Sequence, residues 1–329
     1  MRDIAEHAGV GLATVSRVVN GAPGVSPKLA QKVREAAREL GYRHDATASS
    51  LRRADRRTNT VALVLEDLAN PFSSVLHRAI IDAAAKRGIL VLSGSSDEDP
   101  ARERELVKTF TARQADGLIV VATGRADDAL LAARGFGTPL VVVDRIVKLD
   151  SVDTVVVDDR HGTAAAAARL HAAGHRRVAY FGDPATSWTA RERLSGFLDV
   201  FPETATTLIR CGLNSAEAAE LATRDALALP EPPTACVSGR QPITIGVRRA
   251  LQDAGLENRI ALVGFGDFPL ADLLTPGVSV IAQDPALLGR EAARLLFTRL
   301  DGYEGPARQS VVPTWYVARG SGEIAAPAG

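Results

Sequence analysis

Val10-Gly11-Leu12-Ala13-Thr14-Val15-Ser16-Arg17-Val18-Val19-Asn20-Gly21 is the stretch on which the reading of this chain turns. Val15, Val18 and Val19 recur at i, i+3 and i+4, the spacing of one buried face of a helix. Leu12, Ala13, Ser16 and Arg17 lie off that stripe and are expected to face outward. Gly21 stands where such a helix ends. Asp3-Ile4-Ala5-Glu6-His7-Ala8 reads as another short helix, and Gly9 supplies the turn between the two. Two short helices joined at a glycine are the sequence form of a helix-turn-helix, whose second helix enters the DNA major groove. On that reading Arg17 makes a bidentate contact to a guanine edge. Ser16 bonds a phosphate or base, and Thr14 either sets register or stays mute inside the helix. A small helical hairpin with a solvated arginine is the reading this stretch alone leaves open.

Outward from this stretch, Ser26-Pro27 opens a third helix, with Ser26 as N-cap and Pro27 in the first turn. Leu29, Val33, Ala36, Ala37 and Leu40 give that helix its stripe, and Gly41 stops it. The three helices form a small all-α head over residues 1–44. Residues 45–58 differ: small side chains surround Leu51, and Arg52, Arg53, Arg56 and Arg57 follow. They read as a flexible basic linker, or as a hinge helix that orders on DNA and inserts Leu51 into the minor groove.

The charge distribution agrees with a head that meets a polyanion. Over 329 residues the formal net charge is zero, yet the first 57 residues hold eleven Lys/Arg against six Asp/Glu. A basic head on an acidic body is the electrostatic footprint of nucleic-acid binding by the head alone. Two cysteines, Cys211 and Cys236, are too few for a disulfide framework and fit a reduced cytoplasm. The polar start gives no signal-peptide core, and no apolar run reaches spanning length. A cytoplasmic, nucleoid-associated protein without membrane contact is expected.

From Thr60 the pattern becomes alternating strands and helices. Val61-Ala62-Leu63-Val64-Leu65 is a continuous apolar run, as in a strand buried on both faces. Strands are expected at residues 89–92, 118–121, 140–143, 155–157, 178–181, 207–209, 235–237 and 260–263, and helices at about 71–87, 101–113, 162–173, 190–199, 215–227 and 243–254. This is a doubly wound α/β pattern, too long for one sheet, so two similar lobes with parallel sheets are expected. Ligands of such sheets bind at the carboxyl ends of the strands. Here those ends include Glu66 to Phe72, Asp144-Arg145, Gly182-Asp183, Ser238-Gly239-Arg240 and Gly264 to Asp267. Residues 321–329 are small and polar and are expected to be disordered.

Many short motifs, in order, resemble the LacI/GalR family of bacterial repressors. In the head these are Asp3-Ile4-Ala5, Ala8-Gly9-Val10, Ala13-Thr14-Val15-Ser16-Arg17-Val18, Asn20-Gly21, Leu40-Gly41-Tyr42 and Ser50-Leu51-Arg52. In the body they are Asn70-Pro71-Phe72, Asp97-Glu98-Asp99-Pro100, Asp116-Gly117-Leu118-Ile119, Val143-Asp144-Arg145, Gly174-His175-Arg176-Arg177-Val178 and Ala190 to Phe197. The resemblance implies a periplasmic-binding-protein-like two-lobe core behind the head. It implies a homodimer on a pseudo-palindromic double-stranded DNA operator, controlled by a small molecule in the interlobe cleft. It implies lobes that interleave: the first about 59–159 and 285–308, the second about 160–284 and 309–320. It implies DNA contacts from Leu12, Ala13, Thr14, Ser16, Arg17, Asn20, Ser26, Lys28, Ala48, Leu51 and Arg52, with Leu51 at a central CG step. It implies an effector set of Phe72, Asp144, Asp158, Trp188, Arg191, Arg240, Gly266 and Gln283. Larger family members form tetramers through a C-terminal leucine heptad, which residues 321–329 lack, so a dimer is expected.

The chain departs from the family at several of these positions. Gly11 replaces a common serine, Leu12 and Ala13 offer only apolar contact to bases, and Asp45 stands where asparagine is usual. Arg240-Gln241 replaces an Asn-Asp pair, and Gly266 replaces the first acid of Gly-Phe-Asp-Asp. A cleft that gains a cation and loses an anion points to an anionic effector, a sugar phosphate or sugar acid, held by Arg191 and Arg240. The alternative is that Arg240 folds back on an acid such as Asp267 and the pocket is vestigial. A cytoplasmic α/β enzyme or binding protein is a further reading. Against an enzyme, Gly264-Phe265-Gly266-Asp267-Phe268-Pro269 places proline where a dinucleotide loop needs its third glycine. His171 and His175 are four apart, but Gly174 interrupts the helix between them, so neither metal nor cofactor is expected.

Overall fold

The computed structural model describes residues 1–19, 23–42, 57–147 and 152–327. The chain divides into two compact units, Met1–Asn59 and Thr60–Gly329.

The first unit contains α1 (Arg2–Ala8), α2 (Leu12–Val19) and α3 (Pro27–Glu39). Gly9 ends α1 with φ 59°, in the left-handed region that glycine enters without a Cβ penalty. The Gly11 carbonyl then accepts from Thr14 N at 2.9 Å and starts α2. Ile4, Ala8, Val15, Val33 and Ala36 make the head's small core, each from the apolar stripe of its helix. Ser26 occupies the N-cap position of α3, but its side chain makes no cap hydrogen bond, and Pro27 supplies the start. His7 meets Glu39 at 2.8 Å and ties α1 to the end of α3.

The second unit is built on two six-stranded sheets. The first joins β1 (Thr60–Leu65), β2 (Leu90–Ser95), β3 (Gly117–Val121), β4 (Leu140–Val143), β5 (Asp153–Val157) and β11 (Gln309–Val312), in the order β11-β5-β4-β3-β1-β2 and all parallel. The second joins β6 (Val178–Phe181), β7 (Ile209–Arg210), β8 (Ala235–Ser238), β9 (Ala261–Phe265), β10 (Ser279–Ala282) and β12 (Trp315–Val317), in the order β12-β10-β9-β8-β6-β7. Its strands are parallel except for β12 against β10. β3, β4, β5, β6, β8, β9 and β10 are buried at every residue, as expected of parallel strands covered on both faces.

The covering helices are α4 (Pro71–Ala85), α5 (Pro100–Ala112), α6 (Asp127–Gly135), α7 (Asp159–Ala172), α8 (Trp188–Leu198), α9 (Ala216–Leu227), α10 (Gln241–Asp253) and α11 (Pro285–Leu300). Asn70, Asp99, Ser215 and Asp284 cap four of them through their side chains. Such a cap contributes about 1 kcal/mol and fixes the register of the strand-end loop before it. α11 returns to the first sheet beside α4, where Gly289 lets its backbone approach the Leu76 carbonyl.

The chain crosses between lobes after β5, after β10 and after β11. The last crossing is a correction: residues 309–312 belong to the first lobe, where β11 pairs with β5 from Gln309↔Thr154 to Val312↔Val157. The segment read as a strand at 207–209 is a 3-10 turn, Thr206–Leu208, followed by the two-residue β7. The expectation of a disordered tail at 321–327 is also overturned. Ser321–Glu323 forms a 3-10 turn in which Ser321 Oγ donates to the Leu262 carbonyl at 2.6 Å and Glu323 accepts from Tyr316 Oη at 2.6 Å. Small residues there serve packing, since a Cβ on Gly322 would strike the Tyr316 hydroxyl. No helix among the described residues is long and apolar enough to cross a membrane.

Candidate functional site

In the head, α2 turns one face inward and one out. Val15 is fully buried, whereas Leu12 is 47% exposed and Ala13 and Arg17 are exposed. Thr14 and Ser16 are half-buried on its flanks. Ser26 and Lys28 stand exposed at the start of α3, where free backbone N–H groups and a cation suit an anion. The unit thus presents a helix carrying a cation and apolar side chains, beside a second helix N-terminus.

In the second unit the carboxyl ends of the two sheets enclose a cleft of about 620 Å³. Glu66 follows β1, Asp144 and Arg145 follow β4, Asp183 follows β6, Arg240 follows β8 by two residues, and Gly266 and Gln283 follow β9 and β10 directly. Phe72 enters from the first turn of α4 and Arg193 from α8. A second hollow of about 610 Å³, between α5 and α6, is lined by alanines, Phe136 and a few polar side chains and holds no buried charge. The cleft is therefore where the chemistry lies.

Three arginines organise it. Arg145 grips both Glu98 oxygens, one at 2.8 Å, and donates to the Ala122 carbonyl at 3.1 Å. Arg193 donates from Nε to Asp159 Oδ1 at 2.6 Å and from Nη1 to the Gly239 carbonyl at 2.8 Å, and lies over the Phe265 ring at 4.0 Å. Arg240 Nε lies 2.6 Å from Asp183 Oδ1, and its Nη2 donates to the Asn214 carbonyl at 3.2 Å. Burial pushes the Asp159 carboxyl up to about 7 against the pull of Arg193. Burial likewise raises Asp183 and Asp144. Glu98 is lowered, because the Arg145 bonds outweigh the burial that opposes its ionisation.

Glu66 sits differently. Its Oε1 accepts from Ser73 Oγ at 2.5 Å and Asn70 Nδ2 at 3.3 Å, while its Oε2 is buried without a partner. Burial, with Asp144 adding to it, pushes its carboxyl up to about 7. Gln283 Oε1 is also buried and unpartnered. Buried polar atoms without partners cost about 1–3 kcal/mol each, and in a cleft they mark where a ligand's donors would go.

Comparison with known proteins gives this arrangement its place. Residues 1–45 match the bacterial regulatory proteins of the lacI family, and residues 167–322 match a periplasmic binding protein-like domain. Catabolite control protein A of Staphylococcus xylosus is 30% identical over 307 residues, covering 89% of this chain and 90% of that protein. The chain belongs to the LacI family. The transcriptional regulator KdgR of Bacillus subtilis (strain 168) is 28% identical, covering 93% of this chain and 92% of that one. The lac repressor dimer bound to operator and the anti-inducer ONPF matches with a TM-score of 0.84 and 26% identity, over 97% of this chain and 98% of that one. The CelR–cellobiose complex matches with a TM-score of 0.73 and 28% identity over the same shares. This chain is thus a transcriptional regulator with a helix-turn-helix head and a two-lobe core, and its relatives are not enzymes.

The LacI-family effector positions fall unevenly in the structure. Phe72, Asp144, Arg240, Gly266 and Gln283 line the cleft; Asp158, Trp188 and Arg191 do not. Asp158 precedes α7 without capping it through its side chain, and Trp188 begins α8, half-buried. Arg191 is exposed and donates to the carbonyls of Ala185 at 3.0 Å and Thr186 at 3.1 Å, bracing the loop before α8. The arginine that enters the cleft is Arg193, two residues on and about 200° around the helix. A signal for it was present: Thr189, Ala190, Arg193, Gly196 and Phe197 form the buried stripe of α8, and Arg191 is off it.

Arg240 requires a second correction. It is neither unpaired nor folded onto Asp267, which Arg319 holds through two bonds of 2.6 Å. It pairs with Asp183, so the expected surplus of positive charge is absent: six carboxylates and four guanidiniums line the cleft. Gly266 has φ 82°, a conformation that accounts for glycine in place of the family's acid. Glu66, Arg145 and Asp183 were among the strand ends the sequence offered but not in the family's effector set, and Glu98 and Arg193 were missed as cleft residues. His175 is buried between Thr234 Oγ1 and the Ile324 carbonyl, and no cluster among the described residues could hold a metal. Asn20, Ala48, Leu51 and Arg52 lie outside the described residues, as do residues 45–56 of the hinge.

Proposed function

We propose that this LacI-family regulator is a cytoplasmic repressor that binds a pseudo-palindromic operator as a homodimer and alters its grip when a small polar ligand occupies the cleft. The observation that carries the reading is one chain that joins an outward helix bearing Arg17 to a cleft with unpartnered buried acceptors. The lac repressor relative is a dimer on its operator, and the CelR relative holds cellobiose. One α2 helix reads too few base pairs for genomic specificity, so two heads are needed. Arg17 reads a guanine, Leu12 and Ala13 touch thymine methyl groups, and Ser16, Ser26 and Lys28 fix register on phosphates. In the cleft, Phe72 gives an apolar face, and the charged groups bond ligand hydroxyls. The internal pairing of Arg145, Arg193 and Arg240 favours a second reading, a regulator that needs no ligand.

Selection of bound DNA from a random pool tests the operator part, and should return an inverted repeat whose guanine preference is lost in Arg17→Ala. Titration of sugars against the protein–operator complex tests the rest. Operator affinity indifferent to every ligand that binds the protein would leave the second reading.

A further inference from the structure

The cleft carries more negative charge than its paired arginines neutralise, and the surplus lies in the first lobe. Arg145, Arg193 and Arg240 are committed to Glu98, Asp159 and Asp183. Glu66 and Asp144 have no ion-pair partner among the described residues, although they are only 7% and 9% exposed. Glu66 Oε2 is buried and meets no donor. The two acids stand at the ends of β1 and β4 and hinder each other's ionisation, since the Asp144 charge is one of the influences that raise Glu66. Asp144 also has φ 68°, a costly conformation for a non-glycine residue and one that clusters at ligand sites.

Arg193 and Arg145 pull on Asp144, and Arg145 on Glu66, but neither acid is in an ion pair with them and burial outweighs that pull, so a further positive charge in contact would relieve both. The described residues hold no cluster of ligating side chains for a metal ion, so the cation is an organic one. A neutral sugar brings donors but no charge, and a sugar phosphate brings the wrong charge. A primary ammonium brings three donors and a positive charge at one atom. We propose that the ligand of this cleft bears a protonated amine beside its hydroxyl groups, and that Glu66 and Asp144 receive that amine. Amino sugars are of this class. The proposal rests on the reading of the cleft as a ligand site.

Two measurements test it. Calorimetry on the full chain compares glucosamine, galactosamine and mannosamine with their parent sugars, N-acetyl forms and 6-phosphates. An amine is expected to bind at least about tenfold more tightly than its parent and acetylated forms, and to lose that advantage in Asp144→Asn and Glu66→Gln. A parent sugar or phosphate that binds as tightly as its amine overturns the amine while sparing the cleft; silence from the whole panel counts against both. The second measurement needs no ligand. Asp144→Asn is expected to raise the melting temperature at pH 8, because a carboxylate awaiting a cation burdens the empty protein. A lower melting temperature would show the acid to be a structural partner and overturn the proposal.

Discussion

Arg193 Nε lies 2.6 Å from Asp159 Oδ1, and the Asp159 side chain is fully withdrawn from solvent. Asp159 is the first residue of α7, where the chain has just entered the second lobe, so Arg193 holds α8 to the crossing. Arg193→Ala leaves that carboxyl buried without its partner, and is expected to cost about 3–5 kcal/mol in urea unfolding. Arg191→Ala, which removes only exposed loop bonds, is expected to cost under about 1 kcal/mol. Equal losses in the two variants would contradict the assignment of Arg193 to the cleft.

Arg17 should behave as a base reader. Arg17→Ala is expected to weaken operator binding by about 1–3 kcal/mol per half-site and to relax preference at one position of each. Lys28→Ala should instead lower affinity evenly across sequences and reduce the salt slope by about one. Mobility-shift titrations over a salt series, on operator and scrambled DNA, separate the two.

Stability should fall as pH rises through neutrality because of Glu66. Its folded value, about 7, lies above its unfolded value of about 4.3. The protonated form is thus the better folded partner; its contribution is full below pH about 4 and is lost as pH climbs to about 7. The loss is on the order of 3 kcal/mol. Glu66→Gln keeps the Ser73 bond and removes the titration, so chemical unfolding at pH 5 and pH 8 should differ less in the variant than in the parent.

Two glycine-to-alanine changes should have opposite signs. A Cβ on Gly246 would overlap the Ala216 carbonyl oxygen and press on Ala219, where α10 crosses α9. Gly246→Ala is expected to cost about 1–3 kcal/mol. Gly135 ends α6 with nothing within 4 Å of an added Cβ, and Gly135→Ala should stabilise by about 0.4–1 kcal/mol. Thermal melts of the pair read both signs.

What the sequence made legible follows range of interaction. The head was readable because Val15, Gly9 and Pro27 act through neighbours three or four residues away. Val61 to Leu65 was readable because an apolar run needs no partner to declare itself. β10 and α6 passed unnoticed in short stretches of mixed polarity, and β11 was assigned to the wrong lobe because its partner lies 155 residues earlier. The ion pairs inside the cleft were illegible for the same reason. Arg193 finds Asp159 across 34 residues and Asp183 takes Arg240 across 57, while Arg319 claims the nearer candidate, Asp267. Which acid takes which arginine is decided by the sheet order, and no local spacing encodes it.

The placing of β11 beside β5 has a consequence for how the chain is made. Gln309 pairs with Thr154 across 155 residues, which a ribosome adds at roughly 5–20 per second. For roughly ten to thirty seconds the Asp153–Val157 strand stands finished with its outer edge open, its neighbour not yet synthesised. An open strand edge pairs readily with other chains. The nascent protein therefore has a point of danger at this edge, and it is closed by four residues made long after the strand they protect.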